Sequence, residues 1–144
     1  MTNFHLFDGH SQSVMCVDWN PEGDKLVSGS CDKTLILWDT RTNLKLGVLE
    51  GHSEWILSVA FSPDGCKVAS CGLDRTIIVW CAGSLSMKAT LLGHTASITS
   101  LNWTFCGSKI VSGSDDSTLR IWDATKFLPI STLSGHTGAV YCVS

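Results

Sequence analysis

Short runs in which apolar side chains alternate with small or polar ones extend along the whole chain. The first set comprises Val14, Val17 and Trp19, followed by the segments LVSGS, LILW and LKLGVL. Alternation with a period of two over a few residues is typical of β-strands. Between the first two runs, Pro21 presets its φ angle and Gly23 accepts the left-handed conformation of a tight turn. The pattern therefore predicts four short strands joined by turns.

The whole pattern returns at a fixed interval. Gly-His pairs begin at residues 9, 51, 93 and 135, each 42 residues after the one before. The same interval separates Trp38, Trp80 and Trp122; Asp32, Asp74 and Asp116; Gly23, Gly65 and Gly107; and Thr34, Thr76 and Thr118. A fixed period of this length is the signature of a repeat architecture. It predicts a single repeat domain over 1–144, with complete units at 9–50, 51–92 and 93–134, the fourth strand of a preceding unit at 1–8 and the start of a fourth unit at 135–144.

A four-strand unit with Gly-His near its start and Trp-Asp near its end resembles the WD-repeat β-propeller family. The resemblance extends over essentially the whole chain. It implies an all-β fold made of β-propeller blades, namely three four-stranded antiparallel sheets plus partial blades at both ends. Cys81 departs from the family pattern, because Asp39 and Asp123 occupy the matching positions. We expect this exchange to weaken one blade slightly without changing the fold.

Each unit also repeats a His, a Ser, an Asp and a Trp, and two interpretations compete for them. Ser, His and Asp are the components of a hydrolytic triad, but a chain of these side chains also satisfies buried hydrogen-bonding groups. A nucleophile needs one shaped pocket, so its recurrence in three adjacent units favours the structural interpretation. The resemblance likewise implies a hydrogen-bonded tetrad in each blade, formed by His10, Ser28, Asp32 and Trp38; His52, Ser70, Asp74 and Trp80; and His94, Ser112, Asp116 and Trp122.

Residues that break the repeat are the candidates for binding a partner. The resemblance implies that partners contact the face that carries the Gly-His loops and the Asp turns. Trp55 stands where the other units have Ser13, Ser97 and Ala139, so the repeated core does not require an aromatic there, and exposed aromatics are typical of binding hot spots. The alternative is that Trp55 folds over the edge of its own blade. The predicted partner-binding residues are Trp55, Leu57, Leu73, Met15, Asp115, Thr99 and Tyr141.

Composition narrows the class of protein. Ten Lys plus Arg against thirteen Asp plus Glu give a net charge of −3, without the basic stripe that favours nucleic acid. No apolar run reaches the roughly 18 residues of a membrane helix and no signal peptide is evident, so we expect an intracellular protein, cytoplasmic or nuclear, without a membrane partner. The seven cysteines include no Cys-x-x-Cys pair, which argues against a disulfide framework or a zinc site. We expect no cofactor, no metal and no catalytic residue.

The sequence therefore predicts a non-catalytic scaffold that binds peptides or proteins. Two alternatives remain open: a subunit of a larger complex that is associated with nucleic acid or receives substrates, and a hydrolase. Three complete units are also fewer than the four to eight blades of a closed propeller. The chain is then a fragment of a longer propeller, a protein that self-associates through its exposed end blades, or an open arc.

Overall fold

The structure of the chain is a computed structural model that describes residues 5–144. Within those residues the structure contains twelve β-strands and no helix. The first four are Val14–Trp19 (β1), Lys25–Ser30 (β2), Thr34–Asp39 (β3) and Leu44–Glu50 (β4). The next four are Ile56–Phe61 (β5), Lys67–Gly72 (β6), Ile77–Cys81 (β7) and Ser86–Leu91 (β8). The last four are Ile98–Trp103 (β9), Lys109–Ser114 (β10), Thr118–Asp123 (β11) and Leu128–Ser134 (β12).

The strands form three separate four-stranded antiparallel sheets in which sequence neighbours are hydrogen-bonded neighbours. We call them blade 1 (β1–β4), blade 2 (β5–β8) and blade 3 (β9–β12). The all-β prediction and the prediction of four strands per unit are confirmed. The turns between the first two strands also follow the predicted chemistry, because Gly23 and Gly65 have φ angles of 71° and 67°. In blade 3 the matching turn carries Phe105 in place of a proline, and that side chain is 98% exposed.

The core lies between the blades. Each blade has a front face, which includes alternate apolar residues of its first strand, and a rear face, and the second and third strands contribute apolar residues to both faces. Val27, Leu35 and Leu37 on the rear of blade 1 form one buried cluster with Val59 and Phe61 on the front of blade 2. The rear of blade 2 packs in the same way against the front of blade 3. The period of 42 residues is therefore the period of this interface.

The first strand of blade 1 is uncovered on its front face within the part of the chain that the structure describes. Trp19 is 54% exposed, whereas Phe61 and Trp103 at the matching positions of blades 2 and 3 are 6% and 8% exposed. Val17 is exposed and its counterpart Val59 is buried. Burying an apolar side chain of this kind contributes about 1.5–3 kcal/mol. Blade 1 therefore gains less stability from its front face than the other two blades do.

The segments that flank the blades are irregular. Residues 5–8 form no strand, and residues 1–4 of the predicted strand at 1–8 lie outside the described residues. Residues 135–144 form no strand either, but the Val143 amide donates to Ser100 Oγ at 3.2 Å, as the Leu101 amide donates to Ser58 Oγ at 3.4 Å one unit earlier. A regular strand needs a neighbouring strand that pairs with it along its length. Neither flanking segment has such a neighbour among the described residues.

Candidate interaction surface

A chain of side-chain hydrogen bonds runs through each blade. In blade 1, Trp38 Nε1 donates to Ser28 Oγ at 2.9 Å. Ser28 Oγ lies 2.8 Å from His10 Nε2, and His10 Nδ1 lies 2.9 Å from Asp32 Oδ2. A neutral imidazole satisfies the whole chain, because Nδ1–H donates to the carboxylate while Nε2 accepts from the hydroxyl. The residues of the predicted tetrad are therefore in direct contact.

The same contacts recur in the other two blades. In blade 2 the three corresponding distances are 2.8, 2.8 and 2.6 Å for Trp80 to Ser70, Ser70 to His52 and His52 to Asp74. In blade 3 they are 2.9, 2.8 and 2.7 Å for Trp122 to Ser112, Ser112 to His94 and His94 to Asp116. The serines are at most 4% exposed in all three blades. A substrate has no access to these hydroxyls, although their geometry is that of a Ser-His-Asp triad.

The tetrad aspartates also tie two loops together. Asp32 Oδ2 accepts the Ser11 amide at 3.0 Å, while Oδ1 accepts the Thr34 amide and hydroxyl at 3.0 and 2.7 Å. Burial raises the pKa of Asp32, but the hydrogen bonds from Thr34, His10 and Ser11 outweigh burial and hold the pKa at about 2. The carboxylate thus joins the Gly-His loop to the turn between the second and third strands.

These two kinds of loop together form one face of the molecule, which we call the loop face. It consists of the loops that precede β1, β5 and β9 and the turns at 31–33, 73–75 and 115–117. The third residue of each turn has a left-handed φ angle, 72° at Lys33, 65° at Arg75 and 69° at Ser117. Lys33 and Arg75 are exposed. The loop face therefore combines repeated backbone geometry with side chains that differ from blade to blade.

Two of the predicted partner-binding residues are joined directly on this face. Trp55 is 44% exposed and Leu73 is 36% exposed, and the Leu73 amide donates to the Trp55 carbonyl at 3.0 Å. Leu57, two residues further along β5, is half-buried. These residues all belong to blade 2.

The other predicted residues are spread over the neighbouring segments. Met15 lies on β1 and is exposed, and Tyr141 is exposed in the segment after β12. Asp115 is exposed in blade 3, where its amide donates to the Ser97 carbonyl at 2.9 Å. Thr99 is half-buried, and its hydroxyl contacts the carbonyl oxygens of Gly113 and Val140. The predicted set thus follows the arc of the blades instead of converging on one pocket.

Sequence reasoning missed two features beside Trp55. Lys33 Nζ of blade 1 lies 3.6 Å from Glu54 Oε1 of blade 2, so the loop that carries Trp55 is tied to the neighbouring blade. Gly72 stands where blades 1 and 3 have Ser30 and Ser114, and the Trp55 carbonyl approaches it closely. The break in the repeat at Gly72 was the signal available in the sequence.

A cavity of about 380 Å³ opens on the opposite face, between the first turns of blades 1 and 2. Its lining includes Asn20, Glu22 and Asp64. The Asn20 amide group already donates to Glu22 and Asp24 at 2.8 and 2.7 Å, so these groups satisfy one another. Within residues 5–144, no group of three or more His, Cys, Asp or Glu side chains is placed to hold a metal ion. The same residues contain no helix long and apolar enough to cross a membrane.

Comparisons with known proteins identify the family. The WD domain, G-beta repeat family matches residues 1–39, 43–81 and 85–123. The protein Mut11 of Chlamydomonas reinhardtii is 40% identical over 42 residues, which are 29% of this chain and 11% of that protein. The ribosome biogenesis protein WDR12 homolog of Nematostella vectensis is 49% identical over 39 residues, which are 27% of this chain and 9% of that protein. The chain thus matches about a tenth of the length of each relative.

The solved structure of the RRP9 WD40 repeats superimposes with a TM-score of 0.92 and 28% sequence identity. The superposition covers 94% of this chain and 43% of the RRP9 chain. The order of the strands, the repeated tetrad residues and the family match agree with one another. The chain belongs to the WD-repeat family, and its three sheets are blades of a β-propeller.

Proposed function

We propose that this chain is a non-catalytic scaffold that binds a peptide or protein segment on its loop face, with Trp55 and Leu73 of blade 2 as the anchor. The observation that carries the proposal is Trp55 itself. It is a large aromatic that the repeated core does not use, it is 44% exposed, and it lies beside a second exposed apolar residue. Aromatic side chains in such positions account for much of the binding energy at protein interfaces.

Charged and polar groups around Trp55 and Leu73 would orient a bound partner. Glu54 is paired with Lys33, whereas Arg75 has no carboxylate within ion-pair distance in the described residues. Asp115 is exposed on the next blade. A partner with an apolar side chain flanked by charged groups fits this arrangement, because the rim of an interface selects its partner through charge. Leu57, Met15, Thr99 and Tyr141 extend the contact surface along the arc.

The relatives support a role within an assembly. The name of the Nematostella relative assigns that protein to ribosome biogenesis, and the name of a relative from Schizosaccharomyces pombe assigns that protein to the Elongator complex. Propellers are frames on which many functions are built, so the partner is specified by the surface residues and not by the fold. We therefore propose that this chain is a subunit that holds other proteins together.

The test is a peptide selected on the wild-type chain from a random display library, with its affinity measured by fluorescence anisotropy. Trp55→Ala and Leu73→Ala are each expected to weaken binding at least tenfold, since truncating a hot-spot residue costs about 2 kcal/mol or more. Phe105→Ala is the matched control, because Phe105 is an exposed aromatic on the opposite face. Unchanged affinity in both loop-face variants, or a loss in the Phe105 variant alone, would contradict the proposal.

A further inference from the structure

Blade 2 lacks a serine hydroxyl that joins two loops in each of the other two blades, a contact that we call the hydroxyl latch. In blade 1, Ser30 Oγ donates to the Gln12 carbonyl at 3.3 Å and accepts the Asp32 amide at 3.0 Å. In blade 3, Ser114 Oγ donates to the Ala96 carbonyl at 3.2 Å and accepts the Asp116 amide at 3.1 Å. The hydroxyl thus fastens the Gly-His loop to the Asp turn of the same blade. Gly72 occupies this position in blade 2 and has no hydroxyl to offer.

The backbone of blade 2 uses the space that the missing side chain leaves. A β-carbon on Gly72 would overlap the Trp55 carbonyl oxygen and would lie only 2.9 Å from the Trp55 carbonyl carbon. Both contacts are with backbone, which yields less readily than the end of a flexible side chain. Glycine within a strand often marks such a close approach of another backbone segment. A side chain at residue 72 would therefore have to displace the Trp55 peptide group from its present position.

A different contact holds the same loop from the side. Glu54, directly before Trp55, pairs with Lys33 of blade 1 at 3.6 Å. The matching positions in the other units are Gln12 and Ala96, which carry no charge. Blade 2 has thus exchanged a hydroxyl latch within the blade for an ion pair between blades. The exchange is confined to the unit that carries the exposed tryptophan.

We infer that Gly72 is a specificity-determining residue of the loop face. Because Gly72 has no side chain, the Trp55 backbone lies close to β6, and this contact determines the position of the indole ring on the loop face. This inference rests on the proposed function, in which Trp55 is the anchor. Gly72 acts on the partner through Trp55 and is a positioning residue. Restoring the serine of the other blades should return the loop to their geometry and move the anchor away.

The experiment compares Gly72→Ser with wild type in two measurements. The first is the ¹⁹F chemical shift of Trp55 in chain labelled with 5-fluorotryptophan, assigned with Trp55→Phe. The second is the affinity for the peptide selected on the wild-type chain. We expect the Trp55 resonance to shift and the affinity to fall at least tenfold, because the added β-carbon displaces the Trp55 peptide group. A merely structural role would lower the urea midpoint and leave both the Trp55 resonance and the affinity for the peptide unchanged.

Two further variants keep the result interpretable. Gly83→Ser is the matched control, since a β-carbon on Gly83 meets nothing within 4 Å, and it should leave both measurements unchanged. Gly72→Ala introduces the β-carbon without the hydroxyl and should shift the resonance and weaken binding as the serine does, even if Gly72→Ser folds poorly. An unshifted Trp55 resonance in both Gly72 variants, or a shifted resonance with retained affinity, would overturn the inference. Peptide binding that survives both Trp55→Ala and Leu73→Ala refutes the proposed function instead, and the ¹⁹F shift then decides separately whether Gly72 places the loop.

Discussion

At the scale of single residues, hydrogen-bonding capacity decides which polar side chains belong to the repeated interior of the blades. The tetrad serines each accept an indole N–H and lie beside an imidazole nitrogen while almost fully buried. Leaving such a group unpaired costs about 1–3 kcal/mol. These contacts and this burial support the interpretation that the tetrads are structural and satisfy buried donors.

Replacing Ser70 tests this assignment. Ser70→Ala leaves the Trp80 indole N–H and the His52 Nε2 without their shared partner, so we expect the free energy of unfolding to fall by about 1–3 kcal/mol. Urea denaturation followed by circular dichroism measures the change. Ser53→Ala, in an exposed loop of the same blade, should have almost no effect, and an equal loss in the two variants would contradict the assignment.

Arg120 departs from the repeat at a position where the other two blades carry a buried isoleucine. Ile36 and Ile78 occupy the matching positions and are buried, whereas Arg120 Nε is buried without a hydrogen-bond partner. Arg120→Ile removes this unsatisfied group and should stabilise the chain by about 1 kcal/mol or more. Urea denaturation tests this expectation, and a loss of stability would show that the guanidinium has a favourable role.

The same variant should change the titration of His94. Burial lowers the pKa of His94, Asp116 opposes this effect, and the Arg120 guanidinium lowers the pKa further. Removing the positive charge should therefore raise the pKa of His94 relative to wild type. An NMR titration of the imidazole provides the measurement.

Cys81 shows how a thiol takes the place of a carboxylate. Asp39 Oδ1 accepts the amides of Arg41 and Thr42 at 2.9 and 2.8 Å at the matching turn of blade 1. In blade 2, hydrogen bonds from the Ser84 hydroxyl and from the amides of Ser84 and Gly83 lower the pKa of Cys81 to about 7. The two turn amides that match those bound by Asp39 thus favour the thiolate of Cys81.

Alkylation rates provide a test of the lowered pKa. Because the thiolate is the nucleophile, the rate of iodoacetamide addition at Cys81 should rise through about pH 7. Cys16, whose pKa burial raises to about 12, should remain unmodified, as peptide mapping by mass spectrometry will show. Ser84→Ala should move the rise at Cys81 to higher pH, and an unchanged profile would mean that the Ser84 hydroxyl does not stabilise the thiolate.

At the scale of elements, the aspartates couple each Gly-His loop to the Asp turn beside it. The pKa values of Asp32, Asp74 and Asp116 are all lowered, because hydrogen bonds from neighbouring threonine and histidine side chains and loop amides outweigh the raising effect of burial. A carboxyl group whose pKa is lower in the folded state stabilises the fold above its unfolded pKa of about 3.9. That contribution is lost as the pH falls through the folded pKa, which for Asp32 is about 2.

The stability of the chain should therefore decline between about pH 4 and pH 2. The urea midpoint measured at intervals across this range tests the expectation. Asp74→Asn should reduce the decline, because one of the coupled carboxylates is removed. A midpoint independent of pH over this range would contradict the proposed contribution of the loop carboxylates.

At the scale of the whole molecule, neighbouring blades cover the apolar surfaces of the three blades unevenly. The rear of blade 1 and both faces of blade 2 are packed against neighbouring blades, but Val14, Val17 and Trp19 on the front of blade 1 are exposed. Contiguous apolar surface of this kind favours association. We expect the average mass of the isolated chain, measured by light scattering, to increase with concentration.

Val17→Asp should suppress this association, because it places a charge in the uncovered face. Leu44→Asp, on the exposed outer strand β4, is the matched control and should leave the association unchanged. Equal effects of the two substitutions would show that the front of blade 1 is not the associating surface.

The sequence alone determined the repeat, the strands and the members of each tetrad. Equal spacing revealed them, since every blade must present the same residues to its neighbour in order to pack and must satisfy the same buried donors. Short apolar or alternating runs between turn residues were sufficient for the strands, because the strands of a blade pack against the neighbouring blades on one face or on both.

The tertiary structure decided how the loops lie and which irregular residues meet. That Trp55 rests against Gly72, and that Glu54 reaches Lys33 in another blade, depends on backbone approaches of a few ångströms between segments far apart in the chain. Residues 135–144 show the same limit. They repeat the start of a unit in sequence but form no strand, because a strand forms only where another one offers its backbone hydrogen bonds, and residue spacing carries no information about that neighbour.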